Sequence, residues 1–227
     1  MGMNAVKEFF RLLSRGEFRK LRSKIIIKYG GRKALFTEFY KSNVWQSTES
    51  VSGAGSELRY TTSIVQELPI LFERFDIHSF NDAPCGDFNY MKEIDLGKIK
   101  YAGFDIVQEM IVANNLKYAK SNISFQQADV LKDVLPVADL ILSRDLLIHL
   151  SLKDALGTIE KFRSSGCKYL LINTYPDALK NIDIKTGNLR PVNLAIEPFN
   201  LPAPIYVIDE YGSGRFGRKQ LALYEIN

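Results

Sequence analysis

Residues 80–91 read FNDAPCGDFNYM, and the fold is decided there. The apolar run Ile77–Ala83 carries the acidic Asp82 at its end. A tight turn with Pro84 and Gly86 follows, then helix-like spacing near residues 88–95. A strand feeding a helix through such a turn belongs to a parallel sheet, where ligands sit beyond the carboxyl ends of the strands at the point of topological reversal. Asp82 and Asp87 flank that place, with Ala83 and Pro84 between them and Gly86. A dinucleotide turn carries G-x-G-x-x-G so that the backbone can approach a pyrophosphate. Only Gly86 is glycine here; Pro84 and Phe88 hold the near-equivalent places. Two carboxylates suit a cationic ligand, such as one bearing an ammonium and a sulfonium group. The same residues also serve in an ordinary strand–helix turn that binds nothing.

Working outward, strand-like runs recur at Lys100–Asp105, Ile123–Gln127, Ala138–Ser143 and Lys168–Thr174, with helix-like runs near 107–119 and 152–165 between them. That alternation predicts a doubly wound, Rossmann-like α/β fold with a mostly parallel seven-stranded sheet. The runs Pro204–Glu210 and Gln220–Ile226 are too close for a crossover helix and are expected as a C-terminal antiparallel hairpin. Residues 4–44 read as an N-terminal helical extension broken near Gly16 and Gly30–Gly31. Residues 57–75 read as a helix with a kink or restart at Pro69.

Each strand end carries a candidate group. Asp105 lies 19 residues after Gly86, the distance at which an acidic residue holds a ribose, and Ile106 is placed against an adenine face. Asp129 follows the third strand and can accept from an adenine amino group beside Val130, or cap a short helix. After the fourth strand comes Ser143-Arg144-Asp145, then His149. Histidine titrates near neutrality, so His149 is the candidate general base, with Asp145 or Arg144 orienting it or the acceptor; the bland reading is a turn cap. The other histidine, His78, precedes the first strand and has no assigned role. Upstream, Ser50, Ser52, Gly53, Gly55 and Ser56 lead into a helix. Backbone donors at such a turn can hold a carboxylate, with Arg59 adding a charge and Trp45 walling the site. Alternatively the segment is a flexible connector.

Composition narrows the function classes. The 227 residues are 46% hydrophobic and 25% charged, ordinary globular values that exclude a disordered or disulfide-scaffold chain. Cys85 and Cys167 stand far apart without a CxxC, so no metal site is expected. No apolar run approaches the ~18–20 residues of a spanning helix, and the N-terminus is a poor signal peptide, so a cytoplasmic, soluble protein is the expectation. Gly2 suggests myristoylation, but Val6 stands where that motif wants Ser or Thr. Residues 1–33 hold ten basic and two acidic side chains, a net +8 within a chain of net +4. With Val6, Phe9, Phe10, Leu13 and Leu21, that segment reads as a helix packed on the main domain or as a weak membrane-surface contact.

Together DAPCGDF, the acidic end of the second strand, QADV and DLILSRDLLIHLS resemble class I S-adenosylmethionine-dependent methyltransferases over about residues 75–226. VWQSTESVSGAGSELRYT (44–61) and TGNLRPVNLAIEPFNLPAP (186–204) are also similar to a small bacterial group associated with surface-glycan gene clusters. The resemblance implies S-adenosyl-L-methionine as cofactor. Asp82, Gly86 and Asp87 would hold its methionine end, Asp105 its ribose and Asp129 its adenine. It divides the chain into a basic helical extension with a cofactor-covering loop, 1–56, and a methyltransferase domain, 57–227. The long connection 175–204 would cover the methyl-donor end. Tyr175, Arg190 and Asn193 there would bind a saccharide or phosphorylated glycan, with Arg215, Arg218 and Lys219 adding positive potential or forming a solvated turn. A nicotinamide-dependent oxidoreductase is the alternative enzyme. A non-catalytic nucleic-acid or membrane-associated binding module on the same fold is the alternative without chemistry.

Overall fold

The computed structural model describes residues 15–210 and 216–227. The expected apolar stripe at residues 6–13 and Arg215 lie outside them. The elements are α1 (Arg15–Lys41), α2 (Leu58–Arg74), β1 (Ser79–Asp82), β2 (Lys100–Asp105), α3 (Gln108–Tyr118), β3 (Ile123–Gln127), β4 (Leu140–Ser143), α4 (Leu152–Arg163), β5 (Tyr169–Thr174), β6 (Tyr206–Glu210) and β7 (Lys219–Glu225). The seven strands form one sheet in the order β3-β2-β1-β4-β5-β7-β6. All neighbours among β1–β5 are parallel, while β7 runs antiparallel to β5 and β6.

Side-chain alternation explains why both faces are covered. Leu140, Leu142, Leu171, Leu221 and Leu223 point to one face, where α2 buries Ile64, Leu68, Leu71 and Phe72. Ile141, Leu170, Ile172 and Ala222 point to the other, where α4 buries Ala155, Ile159 and Phe162. The α2 burial explains Pro69. The helix runs unbroken from Leu58 to Arg74, although an interior proline costs about 3 kcal/mol; Leu68 and Leu71, both fully buried, anchor the turns on either side.

The helix expected near 88–95 is not there. Between β1 and β2 the chain forms turns and one short 3-10 turn at Met91–Glu93. The spacing of Phe88, Met91 and Ile94 imitates a helix, but these side chains, with Tyr90 and Leu96, drop directly into the core as a loop. Phe88 packs on the Tyr101 and Phe125 rings, each with centroids at 5.1 Å. At the other interruption, α1 bends at Gly31, whose φ of 68° and ψ of −166° are non-helical. Glycine alone adopts that φ without strain.

Candidate active site

A cavity of about 1070 Å³, counting its open mouth, lies at the carboxyl ends of β1–β4. This is where the strand order reverses, from β1-β2-β3 on one side to β4-β5 on the other. Arg32, Phe36 and Tyr40, one turn apart on α1, cover it. Lys41 fixes that end of the helix to Glu109 on α3 at 2.7 Å.

Pro84, Gly86, Asp105, Ile106, Asp129 and Val130 line one side. Asp105 accepts from the amides of Val107 at 2.9 Å and Gly86 at 3.3 Å, so the β1 turn and the β2 end are tied together. Burial pushes its carboxyl up to about 6. Asp129 accepts from Arg32 Nη2 at 3.0 Å, and Arg32 also reaches Asp154 at 3.5 Å. Asp82 and Ala83 lie behind the wall rather than in it. Asp82 accepts from the Tyr101 hydroxyl at 2.9 Å, and its other oxygen is buried without a partner. Burial pushes that carboxyl up to about 8.

Asp87 requires a correction. Its carboxylate does not face the cavity; it gathers the upstream loop, accepting from Ser50 Oγ at 2.9 Å, Val51 N at 2.9 Å and Ser52 Oγ at 3.1 Å. Its own amide donates to Ser52 Oγ. The loop is therefore a built wall and not a slack connector, and it presents Trp45, Val51, Ser52 and Ser56 to the cavity. Gly86 permits this closeness: a Cβ there would collide with Ser52 Oγ. Gly53 and Gly55 shape the turn without lining the cavity. Arg59 points outward and pairs with Glu57 at 2.7 Å.

The far side holds a buried ionic cluster. Arg144 donates from Nε and Nη2 to Glu210, and from Nη2 to the Gly55 carbonyl at 2.7 Å. Lys219 bridges Asp145 at 2.7 Å and Glu210 at 3.0 Å. These cations hold the Asp145 carboxyl below its ordinary range despite its burial. Asp145 adopts a φ of 57°, in the left-handed region, and its Oδ1 is buried with no partner. Arg144 and Asp145 line the cavity. Ser143 sits beneath as a fully buried strand residue.

His149 lines the cavity beside Trp45, with ring centroids 5.7 Å apart. Its Nδ1 lies 2.9 Å from the Asn188 carbonyl oxygen, and burial lowers its pKa. Asn188 and Trp45 hold the ring by direct contact, while Asp145 acts on it through charge, raising its pKa against the effect of burial. The expected acceptor residues are also corrected. Arg190 is 1% exposed and donates to the Leu147 and Leu150 carbonyls. Asn193 donates to the Pro176 and Ala178 carbonyls. Tyr175 packs on Phe216. All three brace the 175–204 connection and none lines the cavity. Arg218, at the base of the hairpin, pairs with Asp177. Sequence reasoning missed Arg32, Phe36, Tyr40, Tyr90 and Glu210, and gave Lys219 no fixed role. The i, i+4, i+8 spacing on α1 was the available signal for the first three; nothing local marked Glu210.

No protein-family model and no curated protein sequence matches the chain. Solved structures do match its fold. Human N-acetylserotonin methyltransferase in complex with SAM aligns at TM-score 0.53 and 16% identity, over 87% of this chain and 57% of that one. The chain thus spans little more than half of the human enzyme. N-methyltransferase NodS from Bradyrhizobium japonicum WM9, in complex with S-adenosyl-L-homocysteine, aligns at 0.59 and 14%, over 82% and 97%. Magnesium protoporphyrin IX methyltransferase from Synechocystis PCC 6803 with bound SAM aligns at 0.56 and 14%, over 88% and 95%. The chain shares the Rossmann-like methyltransferase fold of these proteins, with the C-terminal antiparallel hairpin.

Proposed function

We propose that the protein is an S-adenosylmethionine-dependent methyltransferase acting on a hydroxyl oxygen. The observation that carries this reading is the pairing of Asp105 with Gly86 across the cavity wall. One carboxylate at the end of β2, held by two backbone amides, retains lone pairs for the two hydroxyls of a ribose. Asp129 and Val130 then fit an adenine, and Ile106 its face. The lining keeps an acidic excess that fits a cationic cofactor: Asp105, Asp129 and Asp145 border the cavity with Arg32 and Arg144, and Asp145 Oδ1 lacks a donor. Those carboxylates are poorly suited to a pyrophosphate, which weighs against a nicotinamide cofactor.

When bound, S-adenosylmethionine supplies an electrophilic methyl group on a sulfonium. The chain's own contribution is alignment and proton removal. The wall of Ser52, Ser56 and Trp45 excludes water from one side, and α1 covers the other. His149 donates from Nδ1 to the Asn188 carbonyl, which leaves the Nε2 lone pair to take the proton of the acceptor hydroxyl. The saccharide or phosphorylated glycan expected from Arg190 and Asn193 loses the support of both residues, since each is committed to backbone carbonyls.

Calorimetry with S-adenosylhomocysteine tests the cofactor. Binding is expected, and Asp105→Ala should weaken it by about 1–3 kcal/mol, the cost of stranded polar groups. Equal affinity in the mutant would remove Asp105 from the ribose, and preferential binding of NAD would overturn the reading.

A further inference from the structure

We infer that the acceptor is a flat, largely apolar molecule bearing a neutral aromatic hydroxyl, seated against Trp45 beside His149 and under the Phe36–Tyr40 face of α1. The inference rests on the methyltransferase reading and names the acceptor of that same site. The aromatic wall is continuous. Phe36 meets Phe39 edge-on at 5.8 Å, Phe39 meets Trp45 edge-on at 5.7 Å, and Trp45 meets His149 at 5.7 Å. Phe39 is buried behind the wall and holds the indole in place. Leu146 and Leu150 extend the apolar lining next to His149. A rigid aromatic surface of this kind favours a planar apolar partner.

Charge argues in the same direction. Among the described residues that line the cavity, the cations are Arg32 and Arg144, and both are already paired. A phosphorylated acceptor needs a guanidinium or ammonium free to bind it. A saccharide stacks on indole but brings several hydroxyls, and the Phe36, Leu146 and Leu150 side chains of the wall offer them no hydrogen-bond partner, which makes their burial there costly. Acidity supplies a third argument. Burial makes the His149 imidazole a weaker base than usual. Such a base matches a phenol of pKa about 10 better than a hydroxyl near the ~15.7 of water.

The test uses protein saturated with S-adenosylhomocysteine, titrated by calorimetry with p-cresol and with glucose 1-phosphate. Trp45 is the chain's only tryptophan, so its fluorescence gives a second readout. Saturable p-cresol binding that quenches Trp45, with no binding of glucose 1-phosphate, is the expected result. On protein saturated with S-adenosylhomocysteine, Trp45→Ala should weaken p-cresol about ten-fold or more, and Trp45→Phe should recover most of the loss. Binding of glucose 1-phosphate without p-cresol overturns the inference, as does p-cresol binding indifferent to Trp45→Ala. In both cases retained S-adenosylhomocysteine binding leaves the methyltransferase reading standing. Failure of S-adenosylhomocysteine to bind the wild-type protein removes both.

Discussion

His149 donates from Nδ1 to the Asn188 carbonyl, because a carbonyl oxygen can only accept; the neutral ring therefore keeps its lone pair on Nε2. Burial lowers the pKa of this ring, so it stays neutral at pH 7 and protonates below the usual 6.5. The turnover rate should accordingly hold to below pH 6.5 before falling, and His149→Ala should lose roughly 100–10,000-fold in rate while still binding cofactor. Turnover within a few-fold of wild type, in a variant shown by circular dichroism to be folded, would leave alignment as the whole mechanism. Asp82 makes a different pH prediction. Its folded carboxyl titrates at about 8 against 3.8 ordinarily, so the folded chain holds a proton that the unfolded chain gives up. Its contribution to stability is complete below pH 3.8 and is lost progressively as pH rises to about 8. Urea unfolding at several pH values should show that decline in the wild type and a flatter profile in Asp82→Asn; parallel profiles would mean that Asp82 is ionised in the folded state.

At the scale of elements, Asp87 joins two segments that are 35 residues apart in the chain, accepting three hydrogen bonds from residues 50–52. Asp87→Ala should cost about 1.5–3 kcal/mol, the range for bonds to a charged group, and should speed amide exchange at residues 50–53 while leaving β4 and β5 protected. Exchange equal to wild type in the loop would assign its order to Gly86 and Ser52 alone. The seven strands were legible in the sequence because each is a short apolar run bounded by turn signals, and the acidic strand ends followed from their positions. Phe88–Asp95 was misread because side chains that fill a core from a loop can fall at helical spacing. Arg190 and Asn193 were misread for another reason. A polar residue in a long connection looks available to a ligand until its backbone carbonyl partners are seen. The loop at 45–56 was legible as a wall, but its tie to Asp87 was not, since no local pattern pairs a carboxylate with three donors so far upstream.

For the whole molecule, the cluster of Arg144, Asp145, Glu210 and Lys219 unites β4 with both strands of the terminal hairpin. Glu210→Ala leaves the buried Arg144 and Lys219 short of a counter-charge and should cost about 3–5 kcal/mol in thermal or urea unfolding. A loss under 1 kcal/mol would mean that water compensates the two cations. The cluster also has a consequence for how the protein is made. Arg144 leaves the ribosome 66 residues ahead of Glu210 and 75 ahead of Lys219, with only its neighbour Asp145 to balance it. Until the hairpin is synthesised and zipped onto β5, a guanidinium destined for the interior has every reason to stay in water, and the cavity floor cannot close over it. A nascent chain halted before the hairpin should therefore fail to retain S-adenosylhomocysteine even though Asp105 and Asp129 have already emerged, and ligand capture would mark the last event of folding rather than an early one.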